Sequence, residues 1–138
     1  MQIMVVDGQG GGIGKTIIEQ LRAKLGDEIE IVALGTNALA TSSMLKAGAN
    51  EGATGENAIV WNAPKADIII GSVAIIAANS MLGELTPLMA NAIAQSSAKK
   101  VLIPLNRCNI YVMSASSEPL PHYVNYVVNF VKNTIRGE

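Results

Sequence analysis

The chain has 138 residues, which is room for one domain and too few for a cofactor domain plus a separate substrate domain, so a full-length two-domain dehydrogenase is excluded. Lys and Arg number 10 against 11 Asp and Glu, a net charge of -1, so no basic field exists to hold nucleic acid. With 49% hydrophobic and 15% charged residues the chain is not disordered, and it is expected to bury a large core and a subunit interface.

The first apolar run, Ile3 to Val6, does not alternate with polar residues, and neither do Ile29 to Leu34, Ile68 to Ile70 and Val101 to Leu105. Strands buried on both faces have this composition, so a mostly parallel sheet of four to five strands with helices on both faces is predicted, a three-layer Rossmann-like α/β architecture. After the first run, Ile17, Ile18, Leu21 and Leu25 share one helical face and Gly26 stops the helix. A second helix is predicted over Ala38 to Ala47, ended by Gly48. Thr54 to Asn62 reads as a short helix capped by Thr54 and stopped before Pro64, with an extra strand at Ala58 to Trp61 as the alternative.

Val73 to Leu82 is apolar almost all round, as in a buried helix, until Gly83 breaks it; Thr86 and Pro87 then start a helix running to about Ser97. Ile110 to Met113 lies too close behind Leu105 for a crossover helix and is expected as an antiparallel edge strand. A last helix begins near Pro121. Val124, Val127, Val128, Val131 and Ile135 share its apolar face, broadened by Tyr123, Tyr126 and Phe130, which is wide enough to predict a homodimer contact. Residues 1–138 form a single domain. Ile68 to Ala78, interrupted by Gly71 and Ser72, falls short of the roughly 20 apolar residues of a membrane span. The start, Met1-Gln2-Ile3-Met4, has no signal-peptide features and Cys108 has no second cysteine to pair with, so a cytoplasmic, soluble protein is expected.

The most informative stretch runs from Asp7 through Gly8, Gly10, Gly11, Gly12, Ile13 and Gly14 to Lys15: a buried strand, a glycine-rich turn, then a helix. Glycines let the backbone turn tightly and a ligand approach its amides, and the helix start adds unpaired N–H groups, so the loop favours an anion such as a phosphate. A P-loop is excluded, because Gln9 stands where its first glycine is required and no acid follows Ile70 to hold magnesium. The spacing Gly8-x-x-x-Gly12-Ile13-Gly14 resembles the fingerprint of short-chain dehydrogenases, over about the first thirty-five residues. That resemblance implies a loop holding the pyrophosphate of NAD or NADP. The resemblance stops there: no tyrosine has a lysine four residues on, and the second strand ends Leu34-Gly35-Thr36-Asn37, without the acid that grips a ribose.

In an open parallel sheet ligands sit beyond the carboxyl ends of the strands. Asp7, Thr36, Asn37, Ser72, Asn106 and Arg107 follow those ends and join the glycine loop and Lys15 as candidate binding residues, with Arg107 expected as a second anion clamp. Two polar loops, Asn50 to Asn57 and Asn79 to Thr86, are expected to overhang the same edge; Glu56 and Glu84 are their candidate acid–base carboxylates. Cys108 reads as an inert small residue, and nothing with metal-ligand spacing accompanies His122, so no metal site is predicted.

Asp7 to Gly14 taken with Gly52 to Asn57, Asn79 to Glu84 and Pro104 to Cys108 resembles, over nearly the whole chain, a family of short bacterial proteins known only as a domain of unknown function. That resemblance implies a Rossmann-like fold and carries no reaction. Three readings follow: a sensor or accessory subunit binding a nucleotide, dinucleotide or phosphorylated metabolite, with NAD or NADP foremost among cofactors; a small enzyme whose site closes at a dimer interface; or an interaction subunit in which the glycines only pack.

Overall fold

A computed structural model describes residues 1–105, 109–113 and 117–137. Five strands and five α-helices follow one another in βα order: β1 (Gln2–Asp7), α1 (Gly12–Leu25), β2 (Glu30–Gly35), α2 (Ala38–Ala47), β3 (Glu51–Thr54), α3 (Glu56–Asn62), β4 (Ile68–Ser72), α4 (Pro87–Gln95), β5 (Lys99–Ile103) and α5 (Leu120–Arg136). The strands form one sheet in the order β3-β2-β1-β4-β5, and every adjacent pair is parallel.

Successive residues of a strand point to opposite faces, and the two cores divide accordingly. Ile3 and Val5 of β1 pack with Ile17, Ile18 and Leu21 of α1, Met44 of α2 and Val124, Val127, Val128 and Val131 of α5. Met4 and Val6 pack on the other side with Ile59 of α3 and Met89, Ala90 and Ile93 of α4. The result is the three-layer Rossmann-like sandwich that the unalternated apolar strands predict. Helix starts and stops follow local chemistry: Asn37 caps α2 by accepting the Ala40 N–H, Thr86 caps α4 by accepting that of Met89, and Gly26 and Gly48 end α1 and α2 at positive φ. No helix among the described residues is long and apolar enough to cross a membrane.

Four expectations are corrected. The fifth strand is β3 rather than Ile110 to Met113, where residues 110–112 carry no regular structure, so among the described residues the sheet has no antiparallel member. Glu51-Gly52-Ala53-Thr54 escapes a hydropathy reading because an edge strand with one half-buried side chain needs no apolar run. For the same reason Asn50 to Asn57 is not an overhanging loop. Thr54 ends β3 and its hydroxyl meets that of Thr41 at 2.8 Å; the residue before α3 is Gly55, at φ 100°. Val73 to Leu82 is not a helix but a 3-10 turn over Val73–Ile76 followed by a loop closed by a Ser80–Leu85 bridge. Left-handed Asn79, Met81 and Leu82, at φ 64°, 57° and 58°, are incompatible with helix continuation.

Candidate functional site

The strand order reverses direction between β1 and β4, and in open α/β sheets the crevice at such a switch point is where ligands bind. The loops leaving β1 and β4 part there. Between them lies a hollow of about 330 Å³ lined by Asp7, Gln9, Ile13, Ser72, Ala74, Met81 and Leu82. A second hollow of about 400 Å³ follows the glycine loop from Asp7 to Ile13 and reaches Leu120 at the start of α5. Asp7, Gln9 and Ile13 line both, so the two hollows adjoin.

The glycines of this loop serve different ends. Gly8 is buried; a Cβ there would lie 2.6 Å from both the Met81 sulfur and the Thr36 hydroxyl, so its missing side chain admits neighbouring protein rather than a ligand. Gly11 turns the chain at φ 74° and lies against the Ala40 backbone, while Gly14 makes room for Met44 and Asp7. Gly10 and Gly12 are exposed, and a Cβ at either would meet nothing within 4 Å.

The backbone amides divide in the same way. Asp7, only 7% exposed, accepts the Gly8 N–H on Oδ1 and the Gly14 N–H on Oδ2, both at 2.8 Å, placing a carboxylate at the start of α1. Gly11 donates to the Gly8 carbonyl and Lys15 to that of Gly11. Glu84 Oε1 accepts the Gln9 N–H at 2.8 Å, the Thr36 hydroxyl at 2.7 Å and the Asn37 amide at 2.8 Å. The Gly10, Gly12 and Ile13 amides meet no protein acceptor among the described residues. They are the part of the loop open to an outside anion.

Glu84 thus stands at the end of β2, where the sequence offers no acid, having arrived from the loop after β4. The Gln9 N–H above all, and then the Thr36 hydroxyl, hold its carboxyl below the ordinary range; burial opposes them and the Asn37 amide adds to them. Asn37 also donates to the Gln9 carbonyl, tying α2 to the glycine loop. A carboxylate kept ionised by three donors is a weak base and fits a positioning role better than acid–base chemistry.

Of the other candidates, Ser72 is buried and accepts the Ala74 N–H at 3.3 Å on the floor of the switch-point hollow. Lys15 is exposed on the first turn of α1. Thr36 and Asn37 are brought to the loop but engaged by Glu84. Asn106, Arg107 and Cys108 lie outside the described residues. Glu56 is exposed at the start of α3 and His122 in the first turn of α5. Among the described residues no group of three or more His, Cys, Asp or Glu has metal-holding geometry. Gln9, which lines the crevice, escapes sequence reasoning, whereas Met81 and Leu82 line it from the Asn79 to Thr86 loop that the sequence expects to overhang this edge.

Fold and site together define a Rossmann-like α/β protein with a glycine-rich first turn and a crevice at the switch point of its sheet. The chain belongs to the family described as domain of unknown function (DUF3842), whose model matches residues 2–136. No curated protein and no solved structure matches it.

Proposed function

We propose that the protein is a binding module for a small phosphorylated ligand, a nucleotide or phosphometabolite, acting as a sensor or accessory subunit. The observation that carries this reading is the coincidence of three open amides, Gly10, Gly12 and Ile13, with the crevice between β1 and β4. A phosphate on those amides shares the positive end of α1 with the Asp7 carboxylate on the Gly14 N–H, with Lys15 one turn along. The remainder of the ligand lies toward Ser72, Met81 and Leu82, in a hollow whose volume falls at the lower end of the roughly 300–1,000 Å³ usual for small-molecule sites. Glu84 fills the end of β2, so a dinucleotide such as NAD or NADP is held through Gly10 to Ile13 and the β4 side rather than by a ribose clamped on Thr36 and Asn37. The engaged, ionised state of Glu84 favours binding over catalysis. As part of the same reading the protein works in the cytoplasm, its single cysteine suiting a reducing compartment, and as a homodimer, since Tyr126 and Phe130 of α5 remain 58% and 41% exposed.

Gly12→Asp tests the site directly. Gly12 does not have positive φ and has open space around its Cβ, so the substitution places a carboxylate beside the amides without straining the fold. Thermal-shift measurements with NAD, NADP, ATP, GTP, FMN, CoA and inorganic phosphate are expected to find a ligand that raises the wild-type melting temperature, by about 2.7 kcal/mol of stability at one hundred times its dissociation constant. In Gly12→Asp that ligand binds at least about tenfold more weakly, about 1.4 kcal/mol. An unchanged shift in the variant removes the loop from the site.

A further inference from the structure

The two edges of the sheet differ. The β3 edge is four residues long, begins with exposed Glu51 and contains Gly52, features that discourage strand addition. The β5 edge runs Lys99-Lys100-Val101-Leu102-Ile103. Beside it the flank of α5 leaves an apolar groove of about 280 Å³ between Val101, Leu102 and Pro104 on the strand side and Tyr126 and Phe130 on the helix side. The ends of this groove carry opposite charges. The Lys99 ammonium lies 5.9 Å from the Phe130 ring at one end, and Glu118 accepts the Tyr126 hydroxyl at 3.1 Å at the other.

The geometry points to a second copy of this chain on the β5 edge, its β5 antiparallel to the first about a two-fold axis through Val101, joining two sheets into one of ten strands. In that register Lys99 faces Ile103 of the second copy and Lys100 faces its Leu102, so no like charges oppose each other along the ladder. The Lys100 ammonium is already turned back onto the Ser96 carbonyl at 2.6 Å. The axis stands perpendicular to the sheet, so both α5 helices lie on the same face and run antiparallel. Tyr126 of each then meets Phe130 of the other, and Lys99 of each comes to the Glu118 end of its neighbour. The edge is therefore self-complementary in shape, hydrogen bonding and charge, as an isologous interface requires.

This inference rests on the homodimer reading above and assigns it a surface, and it is tested on the full chain by sedimentation or light scattering across a dilution series. Lys99→Glu and Glu118→Lys each place like charges across the axis and are expected to weaken dimerisation by roughly tenfold, while the double exchange restores it. Lys99 is exposed and Glu118 half-buried, and an unchanged melting transition in dilute solution verifies folding. Amide exchange at residues 100–103 is expected to slow as the protein is concentrated. A dimer indifferent to both single variants, with unprotected β5 amides, overturns the edge while leaving dimerisation standing. A wild-type monomer at about 100 micromolar overturns both.

Discussion

Glu84 shows how one side chain decides what a glycine-rich loop offers. Its carboxylate bonds to the main chain of Gln9, seventy-five residues earlier, and closes the half of the loop nearest β2. Because the hydrogen bonds lower its pKa in the folded protein relative to the ordinary 4.5, its stabilising contribution is fully present above that value and is lost as pH falls through the lower folded-state pKa. Wild type is therefore expected to melt at a higher temperature than Glu84→Gln near neutral pH, and the gap to close as pH is lowered well below 4.5. A gap that stays constant with pH sinks the hydrogen-bonded carboxylate. Gly8 is the complementary case: in Gly8→Ala the added carbon collides with Met81 and Thr36, 2.6 Å away, and with Glu84 Oε1 at 3.1 Å. The expected cost is about 1–3 kcal/mol in denaturant unfolding. A neutral result shows that this packing yields freely.

At the scale of an element, the loop from Asn79 to Leu85 is the feature most shaped by something other than its own stability. Leu82 is 98% exposed in a left-handed conformation at the mouth of the crevice. The backbone penalty for such a residue is roughly 1–2 kcal/mol, and no burial offsets it here. Leu82→Gly is expected to stabilise the ligand-free protein by about 1 kcal/mol in chemical denaturation. The same variant is expected to bind the proposed phosphorylated ligand more weakly, because the side chain walls the hollow. Stabilisation with unaltered binding shows that the leucine serves no ligand. A loss of stability contradicts the strain argument. The loop is held by its own bonds, Ser80 Oγ to the Ala74 carbonyl at 2.6 Å and Asn79 N–H to the Leu85 carbonyl at 2.8 Å, so Glu84 reaches the glycine turn from a fixed base.

Across the whole molecule the parallel sheet accounts for both the core and the site. Each βα turn emerges at the carboxyl edge, and the reversal of order between β1 and β4 parts two of them over the hollow lined by Asp7, Ile13 and Ser72. The central strands are buried on both faces, so their rigidity fixes the spacing between Asp7 and Ser72 across the crevice. The edges are less constrained, and their difference, a short acidic β3 against an apolar-ended β5, is why the proposed association is assigned to the β5 side of the sheet.

The sequence by itself determined the layered α/β class and the position of the glycine turn. Unalternated Ile and Val in β1, β2 and β4 signal burial on both faces, while Gly26, Gly48, Asn37 and Thr86-Pro87 punctuate the helices by local backbone chemistry. Tertiary structure alone decided that Glu51 to Thr54 is a strand, because an edge strand is specified by its neighbour's open hydrogen bonds rather than by its own hydropathy. It also decided which loop amides remain open: Asp7 and Glu84 take those of Gly8, Gly14 and Gln9, and the Glu84 contact depends on where a distant loop folds back. Motif spacing describes the chain along its length, whereas the availability of an N–H group depends on what the fold brings against it in space.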